Sequence, residues 1–179
     1  MKILRNTLGS KLNIRTELNF PIEGIEFIDI NPMLIDKDVY NEIIEKLIEE
    51  VQDKNIDYII SPEARGFLFG CPVANKLNIG FIPVRKKGKM PPTTVEKSFE
   101  YEKEYGKDIL EIPKLINNES YKGKNFYIID DIYATGNTVR AIKQTVECLG
   151  GNVLGTGVVI NIKELNKDEV FSLIDINEE

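Results

Sequence analysis

Residues 126–138 read Phe-Tyr-Ile-Ile-Asp-Asp-Ile-Tyr-Ala-Thr-Gly-Asn-Thr, and they combine a strand pattern, two adjacent carboxylates and a small polar loop. Phe126 to Ile129 is an aromatic and β-branched run that is typical of a buried strand. Further along, apolar residues recur at helical spacing, at Val139, Ile142, Val146 and Leu149. The stretch therefore predicts a strand, a loop and a helix in direct succession.

The predicted loop has the features of an anion site. A loop that leads from the carboxyl end of a strand into a helix N-terminus presents unpaired backbone N–H groups and the positive end of the helix dipole. Its residues keep their side chains small, so an anion can approach the backbone: Ala134, Thr135, Gly136, Asn137 and Thr138. The pattern indicates a phosphate site.

Asp130 and Asp131 would repel a phosphate placed beside them, so neutral hydroxyls, or a metal-bound group one sugar away, are their more natural partners. Two other interpretations exist, a metal pair as in a phosphorylated receiver domain and a solvated turn. A receiver places its acidic pair near its first strand and lacks the small polar loop, while a random turn rarely adds strand, loop and helix in register. The stretch favours a ribose 5-phosphate.

Composition limits the function classes for the whole chain. Its 179 residues are typical of one domain, and the formal charge of -6 argues against a general nucleic-acid or anionic-membrane surface. There is no histidine, which excludes Ser-His-Asp and Cys-His catalysis and the usual zinc ligands. The Walker pattern is absent, and Gly155-Thr156-Gly157 lacks the third glycine of a dinucleotide fingerprint, so a kinase or dehydrogenase is not indicated.

The two cysteines and the first residues bear on the cellular compartment. Cys71 and Cys148 fall on apolar helical faces, so we expect buried free thiols rather than a disulfide or a metal site. Met1 to Asn6 is charged and has no apolar segment of an export signal, and no run approaches membrane-span length. We expect a cytoplasmic protein with neither membrane nor nucleic-acid partners.

Periodicity predicts alternating strands and helices over most of the chain. The predicted helices are 39–51 and 67–77, the second with Phe67, Cys71 and Ala74 inward, and the predicted strands are 57–60, 79–84, 152–162 and 170–176. Gly150-Gly151 is expected to end the helix that follows residue 138. This alternation implies right-handed crossovers and a mostly parallel sheet whose ligands bind at the carboxyl ends of the strands.

Two segments fall outside that alternation. Near the start, Leu4, Leu8 and Leu12 suggest a short helix, and residues 20–27 predict a turn and a short strand in a small lobe outside the main sheet. Residues 86–106 are charged and prolyl, with the alternation of a weak hairpin and a possible return strand at 109–112. A long exposed segment of this kind is typical of a lid.

Residues 128–138 resemble the phosphoribosyl-pyrophosphate (PRPP) binding motif of type I phosphoribosyltransferases. Three further segments, 63–70 (Glu-Ala-Arg-Gly-Phe-Leu-Phe-Gly), 84–91 (Val-Arg-Lys-Lys-Gly-Lys-Met-Pro) and 104–106 with 110–112 (Glu-Tyr-Gly and Leu-Glu-Ile), resemble the adenine-specific branch of that family. In order, the motifs cover most of the chain from about residue 20 to 162.

The resemblance implies an α/β fold, a central mostly parallel sheet flanked by helices, in one domain with a small N-terminal hood at about 1–35 and a flexible lid or hairpin at about 86–112. It implies purine salvage, in which adenine and PRPP give AMP and pyrophosphate with inversion at C1. It also implies Mg²⁺ carried mainly by the substrate, with no dedicated protein metal site, and a homodimer.

The resemblance also implies roles for individual residues. Arg65 becomes a catalytic, pyrophosphate-binding arginine, in a loop where similar enzymes carry a cis peptide, here expected between Ala64 and Arg65. Glu104 becomes a catalytic glutamate that faces the purine and assists proton movement. Phe27 becomes the aromatic that stacks on the base, with the backbone of Glu26 reading the purine edge.

The resemblance also assigns pyrophosphate binding to Ala64 and to the basic run at residues 85–89. A charge run is usually a solvated face, but four cations within five residues of a net negative chain favour a polyanion, and the resemblance assigns pyrophosphate binding to Arg85, Lys86 and Lys89. Asp130, Asp131 and the loop 134–138 would bind the ribose and its 5-phosphate.

Two departures from the family pattern leave alternatives open. Ile28 stands where similar enzymes usually have arginine, so another purine, hypoxanthine, guanine or xanthine, is an alternative acceptor. Asn137 replaces a common glycine, although asparagine tolerates left-handed backbone better than most residues. A non-catalytic purine or PRPP sensor is a further alternative, but the chain has no helix-turn-helix pattern to read DNA.

Overall fold

A computed structural model of the chain describes residues 1–10, 13–103 and 106–177. The strands, in chain order, are β1 Lys2–Asn6, β2 Arg15–Leu18, β3 Glu26–Asp29, β4 Tyr58–Pro62, β5 Gly80–Lys86, β6 Val95–Lys103, β7 Gly106–Pro113, β8 Asn125–Tyr133, β9 Asn152–Ile162 and β10 Phe171–Asn177. The α-helices are α1 Asn31–Ile35, α2 Lys37–Val51, α3 Phe67–Leu77 and α4 Asn137–Cys148.

The main sheet has the strand order β1-β10-β9-β8-β4-β5-β7-β6. Its five central strands, from β10 to β5, are parallel, while β1 at one edge and β7 and β6 at the other are antiparallel to their neighbours. β2 and β3 form a separate two-stranded sheet. The prediction of a mostly parallel sheet with a small N-terminal lobe beside it is confirmed.

Helices cover both faces of the sheet, and each face has its own core. On one face, α2 and α3 pack through buried side chains such as Leu47 and Val73, and on the other α4 packs through Ile142 and Val146. The start of α2 is capped by Asp36, whose side chain accepts from the N–H groups of residues 38 and 39. The predicted helices 39–51 and 67–77 are confirmed, and Gly150, with φ +83°, follows the end of α4 as expected.

The predicted helix near the start is wrong. Residues 2–6 form β1, which pairs antiparallel with β10 and is held there by an Arg5 Nε to Asp175 Oδ2 contact of 2.7 Å. The leucine spacing favoured a helix, but pairing with the open edge of β10 supplies backbone hydrogen bonds that local propensity cannot foresee. Leu12 lies outside the described residues. Downstream, the short helix α1 begins at Asn31, two residues after β3 ends.

The expected inward face of α3 is confirmed for Ala74 but wrong for Cys71, and the expected burial of both cysteines is wrong. The buried face carries Phe69, Gly70, Val73 and Ala74, while Cys71 is exposed. Nearly every α3 residue is apolar, so periodicity could not choose the face; a Cβ at Gly70 would lie 2.0 Å from Ser61 Oγ, which shows how closely that side approaches β4. Cys148, at the end of α4, is a free and exposed thiol.

The weak hairpin predicted in 86–112 is a regular part of the main sheet. β6 and β7 pair from Val95 with Pro113 to Lys103 with Gly106, and β7 pairs with β5 through Arg85 and Lys86. The start of this segment is therefore anchored to the sheet through β5.

Within the described residues, no helix is both long and apolar enough to cross a membrane.

Candidate active site

Three adjoining cavities lie at the carboxyl ends of the central strands. The largest, about 540 Å³, runs from the small N-terminal sheet to Arg65, and the second, about 230 Å³, lies between Arg65 and the two aspartates. The third, about 50 Å³, is enclosed by Asp130 and residues 132–139. Arg65 and Ile132 line both larger cavities, so the three form one continuous cleft.

The smallest cavity is built by the loop between β8 and α4. Gly136 is the N-cap residue of α4 with φ +78°, and it offers no side-chain cap to the first turn. The N–H groups of that turn are therefore available to an anion, with the helix dipole favouring negative charge. Asn137 lies inside the helix, so the left-handed tolerance invoked for it is not used; the left-handed position is Gly136.

The two aspartates lie within β8, which continues to Tyr133 beyond the predicted strand 126–129. Both carboxylates are buried, with Asp130 8% and Asp131 4% exposed. Asp131 Oδ2 lies 2.7 Å from Arg65 Nε, but the two groups are not aligned as a hydrogen bond, so this buried oxygen has no hydrogen-bond donor among the described residues. An acceptor left in this state suits a ligand hydroxyl.

Burial raises the pKa of Asp130 well above its usual range, and the charge of the adjacent Asp131 adds to the rise, whereas the charge of Arg65 opposes it. One guanidinium therefore serves as the counter-charge for two buried carboxyl groups. The same guanidinium lies 5.5 Å from the centre of the Phe27 ring, over its face. Arg65 thus lies between the two aspartates and the Phe27 ring in the wall of the largest cavity.

The loop before α3 positions Arg65. Its cis peptide bond lies between Glu63 and Ala64, one residue before the expected place. Glu63 Oε2 accepts from Arg85 Nε and from the backbone N–H of Lys86, both at 2.9 Å. Burial opposes ionisation of Glu63, but the N–H of Lys86 and the guanidinium of Arg85 outweigh it and lower its pKa. The loop is therefore tied to β5.

The basic run begins at the end of β5 and continues into the turn after it. Lys86 lines the middle cavity together with Ala64, whereas Arg85 is directed to Glu63 and Lys89 is exposed outside the lining. Neighbouring side chains on a strand point to opposite sides, which separates Arg85 from Lys86. Pyrophosphate binding by Arg85 and Lys89 stays a prediction.

The largest cavity is apolar and large enough for a purine. It is lined by Pro21, Ile25, Glu26, Phe27, Ile28, Arg65, Ile132, Thr135, Ile162 and Leu165. Phe27 is held edge-on by Phe20, with ring centres 5.1 Å apart. Ile28 is buried in the core beneath the cavity, so the position where arginine is usual carries no charge here. Glu104 lies outside the described residues.

Residues 32–178 match the family model described as the phosphoribosyl transferase domain. The chain belongs to this family. It is 48% identical to the adenine phosphoribosyltransferase of Clostridium acetobutylicum over 161 residues, which are 89% of this chain and 91% of that protein. The fold class and the family resemblance predicted from the sequence are thereby confirmed.

Two solved structures extend the similarity. The adenine phosphoribosyltransferase of Thermoanaerobacter pseudethanolicus is 42% identical with a TM-score of 0.80, covering 91% of this chain and 95% of that one. The Saccharomyces cerevisiae adenine phosphoribosyltransferase, solved with adenine and an imino-altritol bisphosphate, is 38% identical with a TM-score of 0.75, covering 89% and 93%.

The sequence did not predict the apolar lining of the largest of these three cavities in this phosphoribosyl transferase. Ile132, Ile162 and Leu165 come from two neighbouring strands and the turn after β9, and each looks like a core residue in the sequence. Leu165 alone carried a signal, because it is an apolar residue three positions after the end of a predicted strand. It is 39% exposed.

Replacing Asp130 with asparagine is expected to raise the melting temperature of the ligand-free transferase at about pH 7. The raised pKa means that the stability contribution of Asp130 is fully present below the unfolded value of about 3.9 and is lost as the pH rises towards the folded value. The amide stays neutral, and each kcal/mol recovered raises the melting temperature by roughly 2–4 °C in a chain of this size.

Thermal unfolding of both proteins from about pH 4 to pH 8 checks this, since the difference should shrink as the pH falls towards the unfolded pKa. Asp53→Asn is the matched control, because Asp53 is exposed. A lower melting temperature for Asp130→Asn at neutral pH would contradict the prediction.

Proposed function

We propose that this chain transfers the 5-phosphoribosyl group of PRPP to adenine, releasing AMP and pyrophosphate in purine salvage. The continuous cleft carries this proposal, because its three cavities offer an apolar slot, a charged centre and an anion loop in the order base, ribose with pyrophosphate, and 5-phosphate. The relatives at up to 48% identity bear the same activity in their names.

The proposed reaction breaks the C1–oxygen bond to pyrophosphate and forms a bond from C1 to a purine ring nitrogen, with inversion and loss of the ring N–H proton. We expect a transition state that resembles an oxocarbenium ion. The protein then has two tasks, which are to stabilise the charge that accumulates on pyrophosphate and to hold base and sugar in line.

Arg65 and Lys86 are the cations proposed to take the leaving charge, because both line the middle cavity. The carboxyl groups of Asp130 and Asp131 would accept hydrogen bonds from the ribose hydroxyls, which would give Asp131 Oδ2 the donor that it lacks. Residues 134–138 would hold the 5-phosphate. For Glu104, assistance to proton movement in the purine is proposed from the family motif alone.

Mg²⁺ is proposed to enter with PRPP, held mainly by phosphate oxygens and water. Within residues 1–10, 13–103 and 106–177, no three side chains among His, Cys, Asp and Glu are grouped so that they could hold a metal ion. When bound, the ion neutralises charge on the departing pyrophosphate. Arg65 and Lys86 would contribute the protein's own positive charge at the same place.

A homodimer is proposed from the family resemblance, and a cytoplasmic location from the two free thiols. Light scattering after size-exclusion chromatography tests the first, and fractionation of cells that express the chain tests the second. The closing lid at about 86–112 is also proposed from the family resemblance, to keep water from hydrolysing the donor.

Because of Ile28, purine bases other than adenine are alternative acceptors. Without the usual arginine the base slot is less polar on one side, so hypoxanthine, guanine and xanthine are alternatives to adenine. The deciding experiment supplies the purified protein with Mg²⁺, PRPP and each of these bases or uracil, and follows pyrophosphate release. Adenine is expected to give the highest kcat/KM. No turnover with any base would refute the enzyme proposal.

Phe27→Ala is expected to raise the KM for adenine by about tenfold or more, since stacking of a base on an aromatic ring is worth about 1–3 kcal/mol. The KM for PRPP should change much less. Phe27→Tyr keeps the ring and serves as the matched control. Equal adenine KM values in the alanine variant and the unaltered protein would remove Phe27 from the base site.

A further inference from the structure

The connection between β9 and β10, residues 163–170, contacts the rear of the phosphate loop 134–138. At its centre is Asn166, a half-buried residue that no sequence pattern singled out. Asn166 Nδ2 lies 2.8 Å from the backbone oxygen of Ala134, 2.9 Å from that of Ile162 and 3.0 Å from Asn161 Oδ1. One side-chain amide therefore ties the loop to the end of β9.

A second tie runs through Arg140 on the first turns of α4. Its Nη2 donates to the backbone oxygen of Thr135 at 2.6 Å and to Asn137 Oδ1 at 2.8 Å, and its Nη1 donates to Asp168 Oδ2 at 2.5 Å. The hydroxyl of Tyr133 donates to the same carboxylate oxygen at 2.7 Å. Asp168 thus holds Arg140 in the position from which it reaches the Thr135 carbonyl.

These hydrogen bonds fix the carbonyl groups of two consecutive residues, Ala134 and Thr135. Because the peptide group is planar, they also fix the direction of the N–H groups that follow. In a trans peptide the C=O and N–H bonds point in opposite directions, so the N–H of Thr135 opposes the Ala134 carbonyl and the N–H of Gly136 opposes the Thr135 carbonyl. Both donors therefore face away from the connection. An anion held by the loop can accept from them there.

Close packing limits how far the loop can move from this arrangement. A Cβ at Gly136 would lie 2.3 Å from the Tyr133 hydroxyl oxygen and 2.7 Å from Arg140 Nη1. At this position φ is +78°, which favours glycine, and a side chain would displace the ends of Tyr133 and Arg140. The two side chains therefore pack closely against the loop at Gly136.

We propose that Asn166 and the Arg140–Asp168 pair are positioning residues that set the N–H donors of the phosphate loop for the 5-phosphate of the ribose donor. This inference rests on the proposed function, which places the 5-phosphate in the loop. The three side chains contact the loop rather than the substrate. Their effect is to reduce the ordering that the loop must undergo on binding.

Asn166→Ala tests the proposal. We expect the KM for PRPP and the Kd for ribose 5-phosphate, measured by calorimetry, each to rise about five- to tenfold, the effect of one net hydrogen bond. The KM for adenine and the Kd for pyrophosphate should change less than these two, because of the loop residues only Thr135 borders the cavity proposed for the base and only Thr138 borders the middle cavity. Lys167→Ala is the matched control, since Lys167 is the exposed neighbour in the same connection.

Asp168→Asn gives a second, milder variant, which keeps the shape and loses the charge that holds Arg140. The Kd for ribose 5-phosphate should rise in this variant too. If Asn166→Ala fails to fold, Asp168→Asn tests the proposal by itself. Unchanged ribose 5-phosphate affinity in the folded variants would overturn the proposal, and so would an equal loss for all ligands. If the unaltered protein neither binds ribose 5-phosphate nor turns over adenine, the proposed function fails instead.

Discussion

Arg65→Gln is expected to lower kcat by about 10²- to 10³-fold, the usual loss when a preset donor to a developing negative charge is removed. Arg65 is the cation shared by the base slot and the charged centre of the cleft, and it lies 2.7 Å from Asp131. Its charge is needed most when the bond to pyrophosphate is breaking, so kcat should fall more than the KM for adenine rises.

Steady-state kinetics with adenine and PRPP measure this effect, and circular dichroism checks that the variant is folded. Arg65→Lys keeps a positive charge but lacks the planar guanidinium group, so its kcat should lie between those of the unaltered protein and Arg65→Gln. Arg15→Gln is the matched control, because Arg15 forms an exposed ion pair with Asp29 in the small sheet. A folded Arg65→Gln protein with an unchanged kcat would refute the role assigned to Arg65.

Asp131→Ala is expected to lower kcat/KM for PRPP by about 10²-fold. A hydrogen bond to a charged group contributes about 1.5–3 kcal/mol, and the change also frees Arg65 from the carboxylate that now orients it. The variant should stay folded, because removal of Asp131 relieves the charge repulsion that, after burial, raises the pKa of Asp130.

Kinetics with PRPP varied at saturating adenine measure the loss, and thermal unfolding reports on the fold. Asp131→Asn preserves the side-chain volume and separates loss of charge from loss of packing. If folded Asp131→Ala binds and uses PRPP as the unaltered protein does, the two aspartates are not ribose ligands. Asp53→Asn again serves as the control for a carboxylate remote from the cleft.

Much of the fold could be predicted because the decisive patterns are local. The apolar stripe of α2 and the length of β9 match their predictions closely, since periodicity reports directly which face of an element is buried. The loop between β8 and α4 could be predicted for the same reason, as its strand, small residues and helix start follow one another in the chain.

Other features depend on contacts between residues that are distant in the chain. β1 is a strand because the edge of β10 is open, and the buried face of α3 depends on the approach of Gly70 to Ser61. The hairpin at 95–113 looked weak because its apolar alternation is sparse, yet pairing with β5 makes it regular. No window of sequence contains the partner that decides these cases.

From α2 onward, the sequence by itself determined the order of strands and helices, the small-residue loop between β8 and α4, and the kinds of residue available for chemistry, because each depends on neighbours within about four positions. The tertiary structure decided which of those residues meet. It alone brought Arg65 to Asp131 and Phe27, turned Lys86 but not Arg85 into the cleft, and placed Leu165 and Asn166 beside residues 132–135. Those encounters depend on sheet order and close packing, which no local pattern encodes.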